Sequence, residues 1–205
     1  MRPLILAGAI VLGLVFAGCE SERPKEIIEK PDGPTKTELE AKEMDKLLAN
    51  LSKGKDLAKI EDTKIYDAAV DALIRRGSSI ESTLIDNLRR SSDWSVRVGI
   101  IEVLQATGSK ACIEHLIAVL NDDEALVAFR ANTTLQELCQ HREIPETGKP
   151  TAGNGLPPVP LRPAGDLALD AELRTWTLWH RDNKLRLQEA WKTWWTTNRE
   201  NVVIR

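Results

Sequence analysis

Three positions of the chain recur at one step of 31 residues: Ile65, Val96 and Val127; Ala69, Ile100 and Ala131; Leu73, Leu104 and Leu135. Within each copy they fall at i, i+4 and i+8, one stripe of an α-helix. No proline stands between Pro34 and Pro145, so helices joined by short turns are expected there. The boundaries repeat too. Asp62 and Asp93 are N-cap candidates, with Asp122 or Asp123 near the corresponding place, and Gly77 and Gly108 read as left-handed helix stops. Shorter helices lie between the long ones: "SIESTLIDNL" with Leu84, Ile85 and Leu88, and "KACIEHLIAVL" with Leu116, Ile117 and Leu120. Each unit is therefore a helical hairpin. Hairpins at a fixed step cannot bury both faces alone, so neighbours stack. The expected fold class is all-α, a short α-solenoid over residues 44–140, opened by a helix around Met44 to Leu51. A closed helical bundle is the alternative, and the regular 31-residue step speaks against it.

Two stretches, "SSDWSVRVGIIEVLQATG" and "NDDEALVAFRANTTLQEL", resemble HEAT repeats of the bacterial type, in which an Asp-rich turn precedes a Val-Arg helix. The resemblance covers roughly residues 60 to 140. Only the middle copy has arginine after the valine, as Arg97; Tyr66 and Ala128 stand at the equivalent places. The resemblance implies HEAT-like hairpins and a binding surface. Some repeats of this type belong to bilin lyases, but a fold does not carry a function, and nothing in the sequence supports chromophore chemistry.

The beginning of the chain addresses location. Met1 and Arg2 form a positive head, and Leu4 to Phe16 is an apolar run ending in Ala17-Gly18. That layout reads as a secretory signal, residues 1–18; the run is shorter than the about 20 apolar residues a membrane span requires. Phe16-Ala17-Gly18-Cys19 resembles the lipobox of bacterial lipoproteins, which implies that Cys19 is lipidated and becomes the new N-terminus. Residues 20 to 43 carry eight acidic and five basic side chains with little to bury, so 19–43 reads as a solvated tether. The expected location is the bacterial cell envelope, lipid-anchored on the periplasmic or cell-surface side.

Beyond Cys139 the composition changes. "IPETGKPTAGNGLPPVPLRPAG" holds six of the ten prolines and four glycines, so residues 141–166 read as a Pro/Gly-rich loop, disordered or laid in extended form over the helices. Residues 167–205 carry five of the six tryptophans. Leu187, Trp191, Trp194 and Trp195 fall on one helical face, and Trp176 and Trp179 make a second pair before a polar break at Arg181 to Lys184. The stretch "WKTWWTTNREN" is similar to the tails of exported bacterial HEAT-repeat proteins. A stack needs an end cap, and the tail is expected to be a Trp-rich C-terminal capping helix. Glycan stacking and membrane-interface binding are the competing roles.

Chemistry is scarce. His115, His141 and His180 have no metal-ligand spacing, and no phosphate loop, nucleophile elbow or HExxH motif occurs. No enzyme activity, cofactor or metal is expected. A net charge of −3 gives no field suited to nucleic acid. Two function classes remain. One is a membrane-anchored adaptor or scaffold that binds an envelope protein through its repeat surface. The other is a glycan or cell-wall binder using exposed tryptophans. Candidate binding residues are Trp176 and Trp179 together with Arg75, Arg76, Arg89 and Arg90, which fall near turns and suggest a positive rim. Cys112 and Cys139 lie at matching ends of one hairpin but at heights differing by about 12 Å at ~1.5 Å per residue, so two free thiols are expected. Ile100 faces the stack and Glu102 lies outside its stripe, so Ile100→Asp should unfold the domain while a change at Glu102 should be mild.

Overall fold

The computed structural model describes residues 35–56, 59–146, 153–161 and 171–204. The expected signal peptide, Cys19 and the expected tether as far as residue 34 lie outside these, as does much of the Pro/Gly-rich stretch. Every regular element among the described residues is helical: α1 (Lys36–Asn50), α2 (Ile60–Arg76), α3 (Glu81–Arg90), α4 (Trp94–Thr107), α5 (Lys110–Val119), α6 (Ala125–Cys139) and α7 (Ala171–Asn198), with 3₁₀ turns at Leu51–Asp56 and Gly77–Ile80. None of these helices is long and apolar enough to cross a membrane.

Helix α1 begins seven residues before the end of the expected tether. Its sequence explains this: after Pro34 come strong helix formers without proline or glycine, and Met44 and Leu48, one turn apart, are buried against α2. Two expected caps also change. Asp62 lies inside the first turn of α2, where it pairs with Lys53 at 3.3 Å and suits the positive end of the helix. Asp93 is a true N-cap, accepting from Ser95 N at 3.1 Å. Asp122 precedes α6 and accepts from Glu124 N at 2.8 Å. Gly77 has φ +64, whereas Gly108 has φ −69 and is no left-handed stop. Gly108 is required for space instead: a β-carbon there would lie 2.5 Å from Leu104 O and 2.7 Å from Cys112 Sγ.

Helix α4 packs against both α2 and α6, and α5 against α3, α6 and α7. The consecutive helices that pack as hairpins are α3–α4 and α5–α6, a short helix followed by a long one, and Cys112 and Cys139 fall in the second of them. The turn between α3 and α4 shows why. Ser91 N donates to Asn87 O at 2.9 Å, Asp93 N donates to Ser91 Oγ at 3.2 Å, and Arg97 of α4 reaches back to Ser91 O at 3.0 Å. That turn ties the end of α3 to the first turn of α4.

Two of the three repeated stripe positions are buried in every copy: Ala69, Ile100 and Ala131, and Leu73, Leu104 and Leu135. The third fades. Val127 is fully buried and Val96 half-buried, but Ile65 is 36% exposed, and Tyr66 is buried in its place. Tyr66 Oη donates to Glu102 Oε2 at 2.7 Å, and Arg130 lies 3.7 Å from the other carboxylate oxygen. Glu102 therefore joins α2, α4 and α6 and is no neutral control for Ile100. Further polar contacts join alternate helices: Ser109 N and Oγ at the start of α5 donate to Glu81 of α3, Gln105 of α4 donates to Glu137 of α6, and Arg97 of α4 pairs at 2.8 Å with Asp122 just before α6.

Helix α7 runs unbroken through the expected polar break, since Arg181-Asp182-Asn183-Lys184 contains no helix breaker. Asn183 donates to Trp179 O, and Lys184 reaches Asp123 at 2.9 Å. Trp176, His180, Leu187, Trp191 and Trp195 are buried along one side of α7, which packs against α5 and α6. Residues 153–161 are irregular, yet Leu156 is fully buried, so this part of the loop is laid against the helices.

Candidate functional site

The four arginines do not form one rim. Arg75 and Arg76 end α2, whereas Arg89 and Arg90 end α3; the ten residues of α3, a rise of about 15 Å, separate the pairs. Arg76 is occupied by Glu43 of α1 at 2.8 Å. Arg89 and Arg90 are exposed at the turn that leads into α4.

A groove of about 510 Å³ opens beside that turn, its wall formed by Arg89 and Ser91 at the end of α3, Arg97 of α4, His115 and Val119 of α5, and the loop Asn121–Asp123. Arg97 is pinned between Ser91 O and Asp122, so it acts as a fixed strut rather than a free cation. Arg89 and His115 offer one positive and one titratable group on successive short helices, opposite the acidic loop. The groove carries both signs of charge and spans two hairpins.

The tryptophans lie elsewhere, and none of the six is exposed. Trp176 and Trp179 are buried; their indole N–H groups donate to Ala125 O and Pro157 O, each at 3.1 Å. This corrects their assignment as exposed stacking platforms. The sequence set this pair apart from the stripe of Leu187, Trp191, Trp194 and Trp195, and the carbonyls that receive the two indoles gave no signal in it. Trp191 is fully buried and donates to Asn132 Oδ1 at 3.1 Å. His180 Nε2–H donates to Leu120 O at 2.8 Å, and burial holds its pKa below the usual imidazole range against the opposing effect of that bond. Cys112 and Cys139 are free and buried. Burial, then the nearby Glu81 carboxylate, pushes the Cys112 thiol up to about 12, and burial pushes Cys139 up to about 11.

A second polar cluster joins residues that sequence spacing left apart. Glu143 is buried; one oxygen is 2.7 Å from His141 Nε2 and the other accepts from Asn154 Nδ2. Asn154 also donates to Glu143 O at 2.9 Å and accepts from Leu156 N at 3.0 Å. The His141 ring lies flat on Trp194, with centroids 4.1 Å apart and planes 5° from parallel, and Trp191 meets Trp194 edge-on. Beside them is a pocket of about 480 Å³, walled by Glu143, Asn154, Arg186, Glu189, Thr193, Trp194, Thr197 and Asn198. Asn154 comes from the loop and the last six from α7. The contact across the loop could be found only in three dimensions, although the half-buried Trp194 stood on the stripe already read from the sequence.

Among the described residues, no group of three or more histidine, cysteine, aspartate or glutamate side chains is placed to hold a metal ion. No family model, curated protein or solved structure matches the chain.

Proposed function

We propose that the protein is a lipid-anchored adaptor of the bacterial envelope, a short HEAT-like solenoid closed at its C-terminal end by α7. Cys19 attaches it to the membrane, the stretch after it spaces the folded part from the bilayer, and the repeat surface binds an envelope protein. The observation that supports this most is the groove along the α3–α4 turn. Its walls come from successive hairpins, as binding surfaces of stacked repeats do, and its mixed charges match a polar protein surface. The recurrence of buried stripe residues and of polar contacts between neighbouring helices supports the stacking. The glycan reading at Trp176 and Trp179 loses its premise, because both indoles are buried.

The test is co-purification from detergent-solubilised envelopes, with wild type compared with an Arg89→Glu/His115→Glu double variant. A protein retained by the wild type and lost from the variant supports the adaptor. Identical retained proteins, with the variant still folded, would place the binding surface elsewhere.

A further inference from the structure

We propose that the pocket beside Trp194 is a subsite for an uncharged sugar ring. The inference does not depend on the adaptor reading. Its platform is the indole of Trp194, half-buried and backed by His141. A buried carboxylate is costly unless its hydrogen bonds are made, and those of Glu143 hold two parts of the site at once. His141, on one oxygen, is held flat against Trp194; Asn154, on the other, is held at the pocket wall. The platform is thus fixed before any ligand arrives, which lowers the ordering cost of binding.

The chemistry of the wall selects the ligand. Trp194 supplies a π-face, and the C–H face of a pyranose is the apolar surface that such a ring accepts. Around it stand amides (Asn154, Asn198), hydroxyls (Thr193, Thr197), a guanidinium (Arg186) and a carboxylate (Glu189). Asn154 spends its amide hydrogens on Glu143 and Thr197 its hydroxyl hydrogen on Thr193 O, so both offer the ligand acceptors. Asn198 has one amide hydrogen beyond its bond to Trp194 O, and Arg186 has N–H groups beyond its bond to Gly155 O. Donors and acceptors thus stand side by side, as a ring of hydroxyls requires. An anion would face Glu143 and Glu189, and a cation would face Arg186; a neutral polyol meets neither obstacle. A volume of about 480 Å³ lies within the ~300–1,000 Å³ of small-ligand sites.

The full chain in detergent is titrated with a soluble β-1,4-linked tetramer of N-acetylglucosamine, followed by indole N–H shifts in NMR. Saturable shifts of the Trp194 resonance are expected, with a dissociation constant on the order of 1 mM. Trp194→Ala weakens binding about tenfold, the share of one aromatic stack, whereas Trp194→Phe retains most of it. Because Trp194 also packs against Trp191 and His141, Thr197→Trp serves as a second variant; this exposed position touches the pocket but not the core, and the larger side chain abolishes binding at unchanged melting temperature. No saturation at about 10 mM sugar, equal binding by Thr197→Trp, or equal binding of a tetra-alanine peptide at the same resonance would overturn the assignment.

Discussion

Gly108 tolerates no β-carbon, because the two atoms such a carbon would meet, Leu104 O and Cys112 Sγ, both belong to buried helix contacts. Gly108→Ala should cost about 2 kcal/mol, the typical size of an overpacking strain, whereas Gly153→Ala, with nothing within 4 Å, should change thermal unfolding little. The two thiols lead to a second prediction. With Cys112 near 12 and Cys139 near 11, neither is nucleophilic at pH 8; a maleimide should leave both untouched in the native protein and label both after denaturation without reductant. Their linkage has a definite sign. In the unfolded chain these thiols ionise near the ordinary cysteine pKa of about 8.5, so above that pH the native state binds more protons and stability falls as pH rises through about 11 to 12. Replacing both cysteines with alanine should flatten this alkaline decline, read from melting temperatures between pH 8 and 11. At the acid side His180 acts in the opposite direction. Its pKa is lowered in the fold, so its contribution is present above the ordinary imidazole value and is lost as pH falls below it.

At the scale of the helix, Trp191 anchors α7, being fully buried with its N–H on Asn132. Trp191→Ala should lower stability by about 3–5 kcal/mol, while Thr196→Ala on the exposed side of the same helix should stay within about 0.5 kcal/mol. Denaturant unfolding measures both. This contrast follows a stripe that is visible in the sequence, as are the buried positions of α4 and α6, because periodicity reports burial wherever neighbours lie on both sides. It misleads at Ile65, which belongs to α2 and stays 36% exposed, and at the start of α1, where charge and prolines upstream masked a short helix with only Met44 and Leu48 to bury. The contacts that fix the turn between α3 and α4, from Asp93 N to Ser91 Oγ and from Arg97 to Ser91 O, were not legible. Nor was the Glu143–Asn154 bridge, which joins two positions eleven residues apart in the sequence. Local spacing carries no signal for contacts of that kind.

For the molecule as a whole, what distinguishes a stack with a closing helix from helices that fold separately is cooperation between α7 and the rest. Trp176 bonds to the first residue of α6, Trp191 to its middle, and His180 and Gln188 to the end of α5. Without α7, the apolar sides of α5 and α6 that it covers face water, and the loss extends to α4, which packs on α6. The most direct measurement is thermal unfolding of the chain with residues 167–205 deleted, alongside acrylamide quenching of the tryptophans in the intact protein. The account predicts poor quenching in the intact protein and a sharp fall in melting temperature on deletion, with unfolding still in one transition. Ready quenching together with an unchanged melting temperature would contradict it.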